Sequence, residues 1–235
     1  MKMKIIGRAW KRAAAAVALL AAAACQDLST GPAPDGDRLA GIDVSHWQGR
    51  IDWARVADDG IAFAYIKATE GGDYVDPQFV ANWDGAARAG VMRGAYHFYR
   101  PQTDAAAQAQ QFLRTVGAHA GDLPPVLDVE VTDGRSAAAI AAGVRTWLET
   151  VERATGVRPI LYTRAGFWNQ VGGGFGGYPL WVAHYGVAQP AIPADWDRWT
   201  IWQHSDAGRV AGITGNVDLN WFAGGWDDLR ALAIP

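Results

Sequence analysis

Eight short segments of aliphatic, aromatic and β-branched residues recur along this chain, and alanine-rich stretches of helical spacing separate the first five. The segments are Gly41 to Trp47, Ala62 to Thr69, Gly94 to Tyr99, Pro124 to Val131, Pro159 to Thr163, Pro179 to Tyr185, Thr200 to His204 and Val217 to Trp221. Each reads as a strand bounded by turn-forming residues. The intervening helices are expected over Trp53 to Asp58, Pro77 to Ala89, Thr103 to Val116 and Ser136 to Thr155. Thr103 is the expected N-cap of the third, and Gly156 with Pro159 closes the fourth. Strand–helix alternation requires a parallel sheet, because parallel neighbours need a long crossover. Eight such strands predict an α/β chain closed into a single TIM-like (β/α) barrel. Mostly loops separate the last three strands, so the ring of helices should be reduced.

The fourth segment, Pro124-Pro125-Val126-Leu127-Asp128-Val129-Glu130-Val131, carries two acids in an apolar strand. Residues i and i+2 of a strand share a face, so Asp128 and Glu130 should stand side by side. Buried carboxylates need partners or a task. Two together raise each other's proton affinity, the arrangement that acid-catalysed glycoside cleavage uses. The structural alternative is a strand end whose acids pair with arginine or cap a helix. In a barrel, the C-terminal strand ends face the active-site mouth. Those ends carry Asp43, then Lys67, Thr69 and Glu70, then Tyr96 and Phe98 with His97 on the opposite face. Asp128 and Glu130 follow, then Tyr162, Trp181 with Tyr185, Gln203 and Asp218. On this reading Glu130 is the general acid and Asp128 remains ionised toward the reacting centre, where it either attacks the anomeric carbon or steadies a substrate acetamido group as that group attacks. Asp43 and Asp218 tune the pair. Tyr96, Phe98, Tyr162, Trp181, Tyr185, Gln203, Lys67 and Glu70 contact substrate.

The N-terminus reads differently. Lys2, Lys4, Arg8, Lys11 and Arg12 precede the unbroken apolar run Ala13 to Ala24, and then comes the single cysteine, Cys25. That run is too short to span a bilayer, which takes about 20 residues. It fits an export signal over residues 1–24. Its junction with Cys25 resembles a bacterial lipoprotein signal, in which the cysteine is lipidated; ordinary secretion is the alternative. Gln26 after the cysteine is similar to lipoproteins sent to the outer membrane in Gram-negative cells. Residues 25–38 read as a flexible tether and 39–235 as one catalytic domain. Losing residues 1–24 removes five of 21 basic residues and none of the 24 acidic ones, leaving a balance of −8. That excludes a nucleic-acid partner and a polybasic membrane patch. The expected chain is a monomer touching the membrane only through its lipid.

His46, His97, His184 and His204 fall on different strands without a metal-ligand spacing, so neither a metal nor another cofactor is expected. Ser45 lacks a nucleophile elbow. Gly172 to Gly177 reads as a mobile rim loop.

GIDVSHWQG, AYIKATEG, GAYHFYRP, LDVE, ILYT, LWVAHY, IWQHS and VDLNWF, in that order from about Gly41 to Phe222, resemble the glycoside hydrolase family 25 lysozymes, also called the Chalaropsis type. The resemblance implies a β/α barrel with few helices. It implies cleavage of the β-1,4 bond between N-acetylmuramic acid and N-acetylglucosamine in peptidoglycan, with net retention and participation of the substrate acetamido group. It puts the family's Asp-x-Glu pair on Asp128 and Glu130 and its flanking aspartates on Asp43 and Asp218. Two rival readings stand beside it: a non-catalytic glycan-binding lipoprotein on the same barrel, and a barrel glycosidase for another N-acetylated polymer.

Overall fold

A computed structural model of the chain describes residues 38–117, 119 and 121–235. The expected signal, Cys25 and all but the last residue of the tether lie outside the described residues. Among those described, no helix is long and apolar enough to cross a membrane.

The described residues form nine strands and six helices in chain order: β1 (Arg38–Val44), α1 (Trp53–Asp58), β2 (Phe63–Glu70), β3 (Tyr74–Val75), α2 (Phe79–Arg88), β4 (Met92–Phe98), α3 (Ala105–Val116), β5 (Val126–Asp128), α4 (Ala137–Thr155), β6 (Ile160–Arg164), α5 (Ala165–Val171), β7 (Leu180–Ala183), β8 (Ile201–Gly208), β9 (Val217–Ala223) and α6 (Trp226–Leu232). The strands join as β1-β2-β4-β5-β6-β7-β8-β9, and β9 closes on β1. The barrel is therefore closed with eight staves, as expected, and β3 is a short addition outside it, antiparallel to β2.

One stave departs from the all-parallel expectation. β9 runs antiparallel to both β1 and β8. The eight residues between β8 and β9 are too few for a crossover, so the chain turns straight back. The start of β9 thus lies at the same end of the barrel as the C-terminal ends of the other strands. Asp218 comes opposite Asp43.

The barrel interior is packed by Phe63, Tyr65, Val126, Ile160, Tyr162, Trp181, Ile201 and Phe222. Rings of this size fit because facing strands carry glycine. A Cβ on Gly41 would collide with the Phe63 ring, and one on Gly94 with Tyr65. Outside the barrel, the opposite strand faces (Ile42, Val44, Ala64, Ile66, Leu127, Val182) pack against Trp83, Phe112, Ile140, Val144 and Trp147 of the helices. Strand alternation generates both cores from single segments.

Helix ends follow local chemistry. Ser136 caps α4 by accepting from the Ala139 N–H, and Gly156 closes it in the left-handed conformation, φ 74°. The cap of α3 is Asp104, which accepts from the Ala107 N–H at 2.8 Å, in place of the expected Thr103. The glycine segment 172–177 leads into the start of β7, opposite the mouth. Phe175 is fully buried and its N–H reaches Asp195, so the segment is a packed bottom loop and not a rim. α5 and α6 were not expected. Each has only seven residues, too short for a clear periodic signature.

Candidate active site

Regular pairing in β5 ends at Asp128, but the chain stays in register for another residue. The Val129 N–H donates to Tyr162 O at 3.0 Å and Thr163 Oγ1 donates to Val129 O at 2.9 Å. Strand alternation therefore persists, and Glu130 faces the mouth beside Asp128. The two carboxyls share a hydrogen bond. Burial raises the proton affinity of both. Asp128 is raised well above the usual range, by desolvation first and by the charge of Glu130 second. Glu130 is raised less, because Arg164 Nε lies 3.6 Å from its Oε2 and favours the anion. Both carboxyls therefore hold protons more tightly than free side chains do, and the pair titrates as a coupled unit. Asp128 Oδ1 is buried and has no partner among the described residues.

The second carboxyl pair, Asp43 and Asp218, is also hydrogen-bonded. Asp218 is pushed up to about 8 by burial and then by the charge of Asp43. Asp43 is buried, which raises it, while three hydrogen bonds pull it back. Gln203 Nε2 and Asn220 Nδ2 donate to Asp43 Oδ2 at 2.9 and 2.7 Å. Gln203 Oε1 accepts from Tyr162 and Tyr185 hydroxyls at 2.8 and 2.6 Å. Asn220 Oδ1 accepts from Trp181 Nε1 at 2.8 Å. Every amide and hydroxyl in this network has a defined role, so Asp43 is held rigidly.

Trp181 is only 2 % exposed and packs on Tyr65 and Tyr162. Its task is to hold Asn220, so the expected stacking surface for substrate is absent at that position. Tyr162 is likewise buried, with its hydroxyl committed to Gln203. Burial raises the proton affinity of the Tyr96 hydroxyl, and the charges of Asp43, Asp128 and Asp218 raise it further. Tyr185 is exposed at the rim.

The Lys67 side of the mouth depends on an irregularity. Strict alternation would turn Glu70 away from Lys67. A register shift between Lys67 and Thr69 sends Thr69 outward to pair with His97 and brings Glu70 back opposite Phe98. Lys67 Nζ then meets Glu70 Oε2 at 2.7 Å and lies over the Phe98 ring. Glu70 also contacts Arg100, at 3.4 Å. Thr69, expected at the mouth, is thus a wall residue. Beyond β1, a 3-10 turn at His46–Gln48 is locked by a Ser45–Gln48 capping box. Asp76 accepts from the His46 backbone N–H at 3.0 Å and lies 2.8 Å from its Nδ1, and Trp47 stands 81 % exposed beside that ring.

Among the described residues, no group of three or more His, Cys, Asp or Glu side chains could hold a metal. Sequence reasoning missed Asn220, Asp76 and Arg164. Asn220 had a signal: it alternates with Asp218 on one strand.

A closed β/α barrel with paired carboxyls at its mouth defines a carboxyl-dependent glycoside hydrolase. Residues 42–213 match the profile of the glycosyl hydrolases family 25, and the chain belongs to that family. It is 43 % identical over 220 residues to Lysozyme M1 of Streptomyces globisporus, covering 86 % of this chain and 74 % of the relative. It is 35 % identical over 213 residues to the N,O-diacetylmuramidase of a Chalaropsis species, covering 83 % and 99 %. The crystal structure of the Streptomyces coelicolor lysozyme superposes with a TM-score of 0.81 at 41 % identity, covering 85 % of this chain and 98 % of that one.

Proposed function

We propose that this enzyme is a muramidase that cleaves the β-1,4 bond between N-acetylmuramic acid and N-acetylglucosamine in peptidoglycan. The Asp128–Glu130 pair carries the reading. Its two carboxyls are coupled on one strand face, and Asp128 is the more deeply buried. The feature that favours a division of labour is the unsatisfied oxygen of Asp128. The partnerless Asp128 Oδ1 is matched to a donor brought by substrate, and the N–H of a 2-acetamido group is such a donor. Positioned by Asp128, the acetamido oxygen attacks the anomeric carbon as the glycosidic bond breaks. Positive charge developing on that group favours an ionised Asp128, so the shared proton passes to Glu130 and from it to the leaving oxygen. Water then attacks the anomeric carbon from the face the leaving group vacated, passing its proton to Glu130 as the bond to the acetamido oxygen breaks, and the second inversion gives net retention. Asp43, held by Gln203 and Asn220, and Asp218 keep the mouth electronegative beside that charge.

The family relatives named for lysozyme and muramidase activity support the substrate class. The basic and then apolar N-terminus supports export, with Cys25 as anchor and the enzyme acting as a monomer in the cell envelope.

Proton-coupled bond cleavage is tested with Glu130→Gln on purified peptidoglycan, following reducing ends. The variant should lose about 10²- to 10⁴-fold in kcat, and Asp128→Asn should lose less. Wild-type turnover by Glu130→Gln overturns the assignment. Proton NMR of the first product would show the β-anomer under retention and the α-anomer under inversion.

A further inference from the structure

A cavity of about 510 Å3 opens beside the acids, at the C-terminal ends of β6 and β7. Its lining includes Arg164, Gly166, Phe167, Ala183, His184 and Tyr185. Two of these reach the catalytic groups. Arg164 lies 3.6 Å from Glu130, and Tyr185 donates to the Gln203 that holds Asp43. The volume is that of a small-molecule pocket, and the mechanism above leaves it unused.

Its charge is opposite to that of the mouth. Four carboxyls line the reacting centre, where an anionic substituent would be repelled. Arg164 is the cation on this flank. Lys67, the cation on the other side, is already engaged by Glu70 at 2.7 Å. The contact between Arg164 and Glu130 exceeds hydrogen-bond length, and the arginine side chain is 54 % exposed. A guanidinium has five N–H donors suited to a carboxylate. His184 adds polarity to the wall: its Nδ1 accepts from the Ala191 N–H at 2.9 Å, which places the proton of the neutral ring on Nε2.

Of the two sugars in peptidoglycan, only the muramyl residue carries an O3 lactyl ether. That arm ends in a carboxylate or, when a peptide is attached, continues into residues that bear carboxylates. We propose that this cavity receives the O3 arm of the muramyl residue, with Arg164 facing a carboxylate on it, and so selects muramyl over unsubstituted N-acetylglucosamine units. The inference rests on the muramidase reading and names what distinguishes its substrate.

Gly166 gives a test that leaves the acids intact. It is exposed, and a Cβ there would meet nothing within 4 Å. Gly166→Glu and Gly166→Gln place side chains of equal size in the cavity and differ in charge. Their kcat/KM values are compared across pH on peptide-bearing glycan, on the same glycan stripped to the free lactyl acid, and on a chitooligosaccharide without the arm. The Glu variant should be roughly tenfold worse than the Gln variant on a muramyl substrate and equal to it on the chitooligosaccharide, like charge opposing the arm. A penalty confined to the stripped glycan identifies the lactyl carboxylate; one confined to the peptide-bearing glycan identifies a peptide carboxylate. Equal values for the two variants on both muramyl substrates overturn the proposal, as does a penalty of the same size on the chitooligosaccharide. A wild-type enzyme inactive on every muramyl substrate sinks the muramidase reading itself, and the pocket assignment with it.

Discussion

The two faces of β4 carry buried polar groups under opposite conditions. On the outer face, His97 is fully buried between barrel and helices, with Nδ1 2.7 Å from Thr69 Oγ1 and Nε2 2.9 Å from Gln108 Oε1. Its ring stacks on Trp147. Gln108 Nε2 donates to Arg100 O and Thr103 O, so the cluster also ties down the loop after β4. Burial lowers His97 to about 4, which keeps it neutral. On the inner face, Tyr96 looks into four carboxyls whose proton affinities are all raised and one of whose oxygens has no partner. In the outer cluster His97, Thr69 and Gln108 satisfy one another and stabilise the fold, while Nε1 of the stacked Trp147 has no partner among the described residues. The inner one retains electrostatic tension that only substrate relieves.

The contrast breaks most sharply at Glu130. Glu130→Gln should remove nearly all turnover while leaving thermal stability unchanged or higher, because a buried acid beside like charges opposes folding; calorimetry alongside the reducing-end assay checks both halves. His97→Leu should do the reverse. It strands Thr69 and Gln108 at a cost of about 2–3 kcal/mol by denaturant titration, with kcat of the folded fraction retained at low temperature.

A pH series sharpens the comparison, since the two faces respond with opposite signs. Asp218 is raised to about 8, so the folded protein keeps a proton that the unfolded chain releases near 4. Its contribution is full below about 4 and is lost as pH rises toward 8. His97 is lowered to about 4, so the unfolded chain takes up a proton near 6.5 that the folded protein refuses. Stability is therefore lost as pH falls from about 6.5 toward 4. The two windows overlap between about 4 and 6.5, where their slopes oppose each other, so melting temperatures should fall most steeply from about 6.5 to 8, and Asp218→Asn should reduce that fall and leave the His97 loss below 6.5 exposed. Arg164→Gln should move the limb of the rate profile that reports Glu130 to higher pH, since the cation that favours its anion is gone. The smallest effect belongs to Trp181→Phe, which leaves Asn220 Oδ1 without its donor and should cost about 1 kcal/mol.

How much of this was legible in the sequence follows from what alternation encodes. Period-two and helical patterns specify which residues face which layer, and so the barrel, Asp43, Asp128 and Glu130 could be read directly. Alternation is blind to strand direction, so the reversal of β9 was not visible even though Asp218 sat on it. It is equally blind to a register shift, which is why Thr69 was placed at the mouth with Lys67. Asn220 looked like any polar strand residue until Trp181 and Asp43 were seen on either side of it. The pull of Arg164 on Glu130 comes from thirty-four positions away, a distance that no local spacing records.

The reversal of β9 also settles where the polypeptide enters. β1 begins at Arg38 opposite Ala223, the last residue of β9, and reaches the acids only at Asp43. Arg38 therefore lies at the floor of the barrel, roughly 17 Å along the strand axis from Asp43. The barrel's first strand thus starts at the end farthest from the acids, and substitutions at Arg38 or Leu39 should leave the cleft untouched.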